Sequence, residues 1–447
     1  MPTASGPDLR ALLRDLPTLR DDPLGYFVRL DREHGPIARL PFGPRRSLFL
    51  ISDPAAIQHV LQDQARRYTK QTFQYGTLSL VTGLGLLTSD GALWLRQRRL
   101  MQPAFHRERL VGFATSMHAA AERLVARWAA LPAGAPVDVE AAMLAVSLEI
   151  VGETLFSADL SEAAPALVAA VVTALDHVIA RSQDPFMPPL WVPTRPNRGF
   201  NAAVRALDEA VAALVTDRRT GPAQPDLLQM LLDARDEAGS ALTDRQLRDE
   251  LVTLLVAGHE TVASALTWAW ALLAQHPATA DRIAQEAGDA ARLDPGSLPF
   301  TQAVFDEALR LYPPAWLITR RAAEADVVAG APVSAGSLIL ISPYIVQRRA
   351  ELWAEPDVFR PERFLGQPPP RFNYLPFGAG PRLCIGQSFA RWEGTILLAA
   401  LARRFRLEAQ RPGLPGIEPL VTLRPHGGLS LTLKPRRTRD MNTEQRT

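Results

Sequence analysis

The 447-residue chain contains one cysteine, Cys384. A lone thiol can form neither an internal disulfide nor a cysteine-rich metal cluster. It can supply one thiolate to an iron whose planar positions are filled by a porphyrin. Its surroundings suit that chemistry, for it sits in Phe377-Gly378-Ala379-Gly380-Pro381-Arg382-Leu383-Cys384-Ile385-Gly386. Gly378 and Gly380 permit a tight turn ahead of the sulfur, and Gly386 permits close approach to a flat ligand. The apolar stretch from Phe389 to Leu401 predicts a helix starting just after the cysteine, whose first amides favour a thiolate and lower its pKa. Arg382 can reach an anion such as a haem propionate. Against ligation stands the commoner fate of a free cysteine, a small buried hydrophobe.

A second set of residues is Ala257-Gly258-His259-Glu260-Thr261. Gly258 and Thr261, three apart, share a helix face. The glycine leaves space for a flat cofactor, and the threonine hydroxyl can bond back to a carbonyl one turn earlier, loosening the ladder. Taken alone, an ordinary helical threonine and a surface glutamate explain these residues as well. Glu307 and Arg310 also lie on one helix face, with Arg363 further on in Pro361-Glu362-Arg363-Phe364, and Trp94 and Arg98 are spaced one turn apart.

The elements that must position these groups are mainly helical. Thr243-Asp244-Arg245-Gln246 is a capping box, and Pro277 ends the helix that it starts. That helix is about 48 Å long. Its apolar part, Leu251 to Ala274, is long enough to be weighed as a membrane span, but His259 and Glu260 at its middle favour a buried central helix. Gly35 to Ser52 reads as a β-hairpin, and Ala325–Val328, Ser337–Ile341 and Leu429–Leu433 as strands. Residues 1–25 read as a polar lead-in, 184–199 with five prolines as a lid-like loop, 353–373 as irregular, and the charged tail, 436–447, as disordered. No internal repeat or linker is visible, so a single domain is expected. A net charge of +2 argues against a polyanionic partner such as nucleic acid, and the absence of a cationic, apolar leader implies a cytoplasmic enzyme without a transmembrane anchor.

The run around Cys384 matches F-G-x-G-x-R-x-C-x-G at every fixed position, and from about Gly35 to Leu433 the chain resembles the cytochrome P450 family. The resemblance implies a mainly α fold with a small β region and a long central helix over haem, with Cys384 as the iron ligand. It implies haem b as cofactor and O2 as cosubstrate, with electrons from NAD(P)H through a separate ferredoxin reductase and ferredoxin. Ala257–Thr261 match the family's A-G-x-[DE]-T, which places Gly258 at the haem and makes Glu260 and Thr261 proton-delivery residues, His259 being structural. Phe377, Gly378, Arg382 and Gly386 become haem contacts. Trp94, Arg98 and Arg320 become propionate ligands, with Arg321 as the alternative to Arg320. Glu307, Arg310 and Arg363 match E-x-x-R and P-E-R-F, a buried ion network behind the haem. Gln347 stands where many relatives carry histidine. Arg96 and Arg99 are expected to face solvent, with Arg107 and Arg391 near the same proximal face, as a docking patch for an acidic ferredoxin.

Lys70–Tyr75, Thr82–Thr88, Val256–Trp268 and Leu311–Trp316 resemble a bacterial branch of the family that contains a carotenoid β-ring hydroxylase. This implies a carotenoid substrate, with Phe73, Gln74, Tyr75 and Leu80 as channel-wall residues, a monomer, and peripheral membrane contact to collect the substrate. Alternatives are a fatty-acid or terpene hydroxylase of the same family, some relatives being driven by peroxide. A non-enzymatic haem sensor or carrier would need Cys384 but not Thr261.

Overall fold

A computed structural model describes residues 4–41, 43, 46–184, 186–235, 239–288 and 293–436. Its axis is the helix Asp244–Gln275, 32 residues long. Both halves of the capping box form, the Gln246 N–H donating to Thr243 Oγ1 at 3.2 Å and the Thr243 N–H to Gln246 Oε1 at 2.9 Å. The helix is sheathed by Val139–Leu155, Arg195–Thr220, Pro299–Leu311 and Gln387–Ala402. Among the described residues two helices, this one and Ala164–Gln183, are long and apolar enough to cross a membrane, but 83% of the central helix's apolar window is buried inside the protein.

One sheet supports the site. Its strands run in the order Ile37–Pro41, Ser47–Ile51, Leu338–Ile341, Ile318–Ala322 and Tyr68–Thr69. The first two form the expected antiparallel hairpin, with Ile37 opposite Ile51. The strand Ile318–Ala322 carries Arg320, and the Thr319 hydroxyl meets that of Thr72 at 2.8 Å, tying the sheet to the start of the helix Phe73–Thr82. A short ribbon, Ile417–Pro419 with Leu423–Pro425, lies against the central helix and carries Arg424.

Several elements differ from expectation. Residues 1–25 hold the helix Leu9–Asp21 and the start of Pro23–His34, because Asp8 and Asp22 cap them by accepting from the Ala11 and Gly25 N–H groups. The proline-rich segment ends sooner than expected, since Pro196 fits the first turn of the helix Arg195–Thr220 behind the cap Thr194. The strand Ile318–Ala322 is hidden in sequence by Arg320 and Arg321, which interrupt its apolar pattern. The expectation for the tail lies outside the described residues from 437 on. Ahead of it, the last strand continues to Pro435, and Arg436 Nη1 pairs with Asp281 at 2.7 Å.

Candidate active site

The loop Phe377–Gly386 is folded back on itself. The Cys384 N–H donates to the Phe377 carbonyl at 2.9 Å, and the Gly378 N–H to Leu375. Gly378 and Gly380 adopt φ of 70° and 69°. At Gly380 a side chain is excluded twice over, since a Cβ would stand 1.8 Å from the Leu61 carbonyl oxygen. Gly386 caps the helix Gln387–Ala402. Behind the loop, Glu307 and Arg310 are fully buried and meet through Arg310 Nε at 2.6 Å and Nη2 at 2.8 Å, and the half-buried Arg363 joins Glu307 through Nε at 3.3 Å. Gln347 links this network to the loop. Its amide donates to the Leu309 and Arg310 carbonyls, and its Oε1 accepts the Leu375 N–H at 2.7 Å. A glutamine can serve as donor and acceptor at once here, which explains its place without any catalytic role.

Cys384 presents accessible surface, yet protein atoms surround it closely enough that burial pushes its thiol pKa up. The Gly386 N–H, Arg98 and Lys70 pull the other way without prevailing. This reverses the expected lowering, because desolvation outweighs the amides at the helix start. The central helix carries an accessible group of its own. From Asp249 to Leu273 every residue of that helix is buried except Ala257, Gly258 and Thr261, which share one face. Thr261 Oγ1 donates to the Ala257 carbonyl at 2.8 Å. Thr267 makes the same bond to Ala263 on a buried face, so the hydrogen bond does not single out Thr261; its accessibility does. At Gly258 a Cβ would meet Val151 Cγ2 at 2.8 Å. The glycine is therefore required by packing against the helix Val139–Leu155. Its missing side chain faces that neighbour rather than the space expected for a flat cofactor.

Basic side chains converge on the cysteine side. Arg98 Nη1 donates to the Leu383 carbonyl at 2.9 Å, one residue from Cys384. Arg382 lies over the Trp94 ring at 3.9 Å and pairs with Asp90, and burial pulls its pKa down to about 10, Arg320 adding to the effect. Arg320, not its half-buried neighbour Arg321, is buried, with Nη1 on the Thr319 carbonyl at 2.8 Å. Lys70 is buried too, and its ammonium donates to the Leu87 carbonyl at 2.7 Å. Burial, together with Arg320 and Arg382, holds its pKa well below the usual lysine value. Three arginines and Lys70 thus face one close acid, Asp90, a basic surplus that suits an anionic group. An accessible cysteine on a tight glycine-bearing loop, flanked by that charge, and an accessible face on the central helix suit haem with its two propionates.

Glu260 is buried and turned toward the ribbon 417–425. Its Oε1 accepts from Thr422 Oγ1 at 2.6 Å and from Arg424 Nε at 2.9 Å, while Oε2 is buried without a partner. Arg424 also forms part of a surface cavity of about 340 Å³, together with Glu140, Asp176 and Glu418. Burial raises the pKa of Glu140 and Asp176. His259 is fully buried with Nδ1 on the Leu255 carbonyl at 2.6 Å, and burial lowers its pKa, so it stays neutral.

The residues expected as channel wall lie on the helix Phe73–Thr82. Phe73 (56% exposed), Gly76 and Leu80 (37%) share its accessible face. Gln74 and Tyr75 turn toward the cations: Thr319 Oγ1 donates to Gln74 Oε1 at 2.8 Å, and Lys70 lies over the Tyr75 ring at 4.6 Å. The following segment is bolted to the central helix. Asp249 accepts from the Leu84 N–H at 2.9 Å and Glu250 from the Leu86 N–H at 3.0 Å. A Cβ at Gly83 or Gly85 would stand 2.0 Å from Asp249 Oδ1 or 2.2 Å from Thr253 Oγ1. On the proximal side Arg99 is exposed as expected, but Arg96 is half-buried and engaged, and Arg391 is paired with Asp306 at 2.9 Å. The Arg107 side chain lies outside what is described.

Lys70, Asp90, Thr422 and Arg424 were not singled out from sequence for these roles. Asp90 also caps the helix Gly91–Met101, a purely local signal, and Arg424 is 164 positions from its partner Glu260.

The cytochrome P450 family model matches residues 5–431. Cyclooctatin synthase of Streptomyces melanosporofaciens is 37% identical over 431 residues, covering 93% of this chain and 90% of that protein. Pentalenene oxygenase of Streptomyces avermitilis is 33% identical, covering 93% and 92%. The protein LUTEIN DEFICIENT 5, chloroplastic, of Arabidopsis thaliana is 32% identical, covering 90% and 72%. Among solved structures, CYP175A1 from Thermus thermophilus superposes with a TM-score of 0.81 at 35% identity, covering 96% of this chain and 100% of that one.

Proposed function

The chain belongs to the cytochrome P450 family and is a haem-dependent monooxygenase that acts on a lipophilic substrate with electrons from redox partner proteins, and on that premise we propose that it hydroxylates a carotenoid on a terminal β-ring. The observation that carries this reading is the apolar face of Phe73, Gly76 and Leu80, continued by exposed Leu84, on the helix and loop fastened to the central helix about three turns before Thr261. A polyene chain can be held there without polar contacts, at about 0.8 kcal/mol per buried methylene-sized unit. The relative named for a deficiency of lutein, a carotenoid with hydroxylated rings, supports the same class.

Haem b, when bound, supplies the thiolate-ligated iron at which O2 is reduced and cleaved. The chain's own residues do the rest. Cys384 is the ligand, held by its N–H on Phe377. Trp94, Arg98, Arg320 and Arg382, with Lys70, hold the carboxylates. Thr261 holds a proton at Oγ1, at the only opening in the buried stretch of the central helix, and Glu260, tied to Arg424, resupplies it. The apolar wall orients one C–H bond and excludes water. Electrons come from NAD(P)H through a ferredoxin and its reductase, the enzyme working as a cytoplasmic monomer of one domain.

Expression with a ferredoxin system in cells making β-carotene tests this: ring-hydroxylated pigments should accumulate. Unchanged pigments would overturn the carotenoid reading. A spin-state shift with pentalenene-type hydrocarbons would then favour terpene hydroxylation, to which the two Streptomyces relatives' names point.

A further inference from the structure

The turn His59–Asp63 is wound as a π-helix and continues the short helix Pro54–Gln58. The Gln64 N–H reaches back five residues to the His59 carbonyl at 2.8 Å. No other segment among the described residues is wound this way. Isolated π turns are rare, and they occur frequently at functional sites.

This turn lies against the cysteine loop. The Leu61 carbonyl is what a Cβ at Gly380 would strike, with Gln62 Cα at 3.2 Å close behind. Backbone therefore rests on backbone, and neither side can yield by turning a side chain. Val60 and Leu61 share a buried apolar cluster with Leu375 and Ala379, a cluster separate from the main core. Gly380 in turn accepts the Leu383 N–H at 3.0 Å, so its position is passed on to the residue beside the sulfur.

One side chain pins the turn. His59 Nε2 lies 2.8 Å from Asp326 Oδ2, although 267 positions separate the two residues. A carboxylate only accepts, so the imidazole donates here. The Tyr68 hydroxyl donates to the same oxygen at 2.8 Å, and the Val327 N–H to Oδ1 at 2.8 Å. Arg67 Nη1 stands 3.4 Å from Oδ1, while its Nε pairs with Glu324. Burial would raise the Asp326 carboxyl, yet the bonds from His59, Tyr68 and Val327 hold it below the usual carboxylate range. Asp326 is 9% exposed, so the pair is not a loose surface contact of the kind that contributes little.

We infer that His59 is a positioning residue for Cys384. Its bond to Asp326 fixes the π turn, the Leu61 carbonyl of that turn fixes Gly380, and Gly380 fixes the loop that presents the sulfur. That Cys384 ligates the iron is taken from the function proposed above, and Cys384→Ala tests it separately. Nothing is asked of the carotenoid reading.

The test follows the thiolate-type band of the reduced carbon monoxide complex in the haem-loaded full chain, in urea below the unfolding transition. His59→Ala should lose the band about tenfold faster than the parent, the effect of removing one hydrogen bond to a charged group. His59→Gln keeps a donor and should restore the parental rate. Val328→Ala, in the strand Asp326–Val328 and buried in the same apolar cluster, controls for stability alone. It should lower the melting temperature without hastening band loss. Hydrogen exchange of the peptide that contains Cys384 should rise in His59→Ala and not in Val328→Ala. Band loss no faster in His59→Ala than in Val328→Ala overturns the proposal and leaves the pair a matter of stability. Fast loss in His59→Gln also overturns it, since ring packing would then be at work. Should His59→Ala not retain haem, Asp326→Asn carries the same test: the rate should be intermediate, and a parental rate overturns the proposal.

Discussion

Arg424 Nε lies 2.9 Å from Glu260 Oε1, and both side chains are nearly closed off from solvent although 164 positions separate them. The acid beside Thr261 is thus held by a residue from the last ribbon of the chain. Arg424→Ala strands the carboxylate and should cost about 3–5 kcal/mol of stability. It should also raise peroxide release relative to product, since Glu260 is no longer positioned. Arg424→Lys keeps the charge but loses the fork, and should fall between. A variant with parental melting temperature and coupling would show that the pair is ornamental.

Cys384→Ala should abolish the thiolate-type band of the reduced carbon monoxide complex, because the chain has no other cysteine. Persistence of that band would remove Cys384 from the iron.

Thr261→Ala should leave the fold and haem content intact, since Thr261 is on the accessible face of its helix and its bond to Ala257 is local. Electron consumption should continue while hydrogen peroxide replaces hydroxylated product. Unchanged coupling would instead mean that protons reach the site without the Thr261 hydroxyl.

Glu393 is wholly buried, and burial pushes its pKa up to about 8; the Ser147 hydroxyl tempers the shift from outside hydrogen-bonding geometry. The folded state therefore keeps a proton that the unfolded chain loses near pH 4.5. Stability is full below that pH, declines as pH rises toward 8, and levels off above it. The total is on the order of several kcal/mol. Glu393→Gln should flatten the melting temperature between pH 6 and 8; an unaltered slope would mean that another group titrates.

Arg99 is the exposed arginine left on the helix that carries Trp94 and Arg98. Arg99→Glu should slow reduction by an acidic ferredoxin and lessen its dependence on ionic strength. Equal rates at low and high salt in the parent would contradict electrostatic docking through this helix.

Local chemistry was legible in the sequence. The capping box at Thr243, the turn glycines before Cys384 and the Glu307–Arg310 spacing all concern residues within one turn or loop, and each forms as its residue types dictate. What stayed hidden was long-range. Nothing near Glu260 signals Arg424, and nothing near Arg382 marks Asp90 as more than a helix cap. Gly258 reads equally well as room for a cofactor or as room for Val151, and only the neighbouring helix decides. The N-terminal helices were missed because Pro17 and Pro23 suggested a coil, whereas Pro23 sits where a helix tolerates it.

The bonds from Asp249 and Glu250 to the Leu84 and Leu86 amides have a mechanical consequence. The loop proposed to line the substrate and the threonine proposed to serve the oxygen site ride on one helix, about three turns apart. Opening the enzyme elsewhere leaves their spacing unchanged, so the carbon that is attacked is set by a ruler rather than by a hinge. Regiochemistry should then resist changes in lid residues and shift when the helix Phe73–Thr82 is lengthened, or the anchor at Asp249 is moved, by even about an ångström.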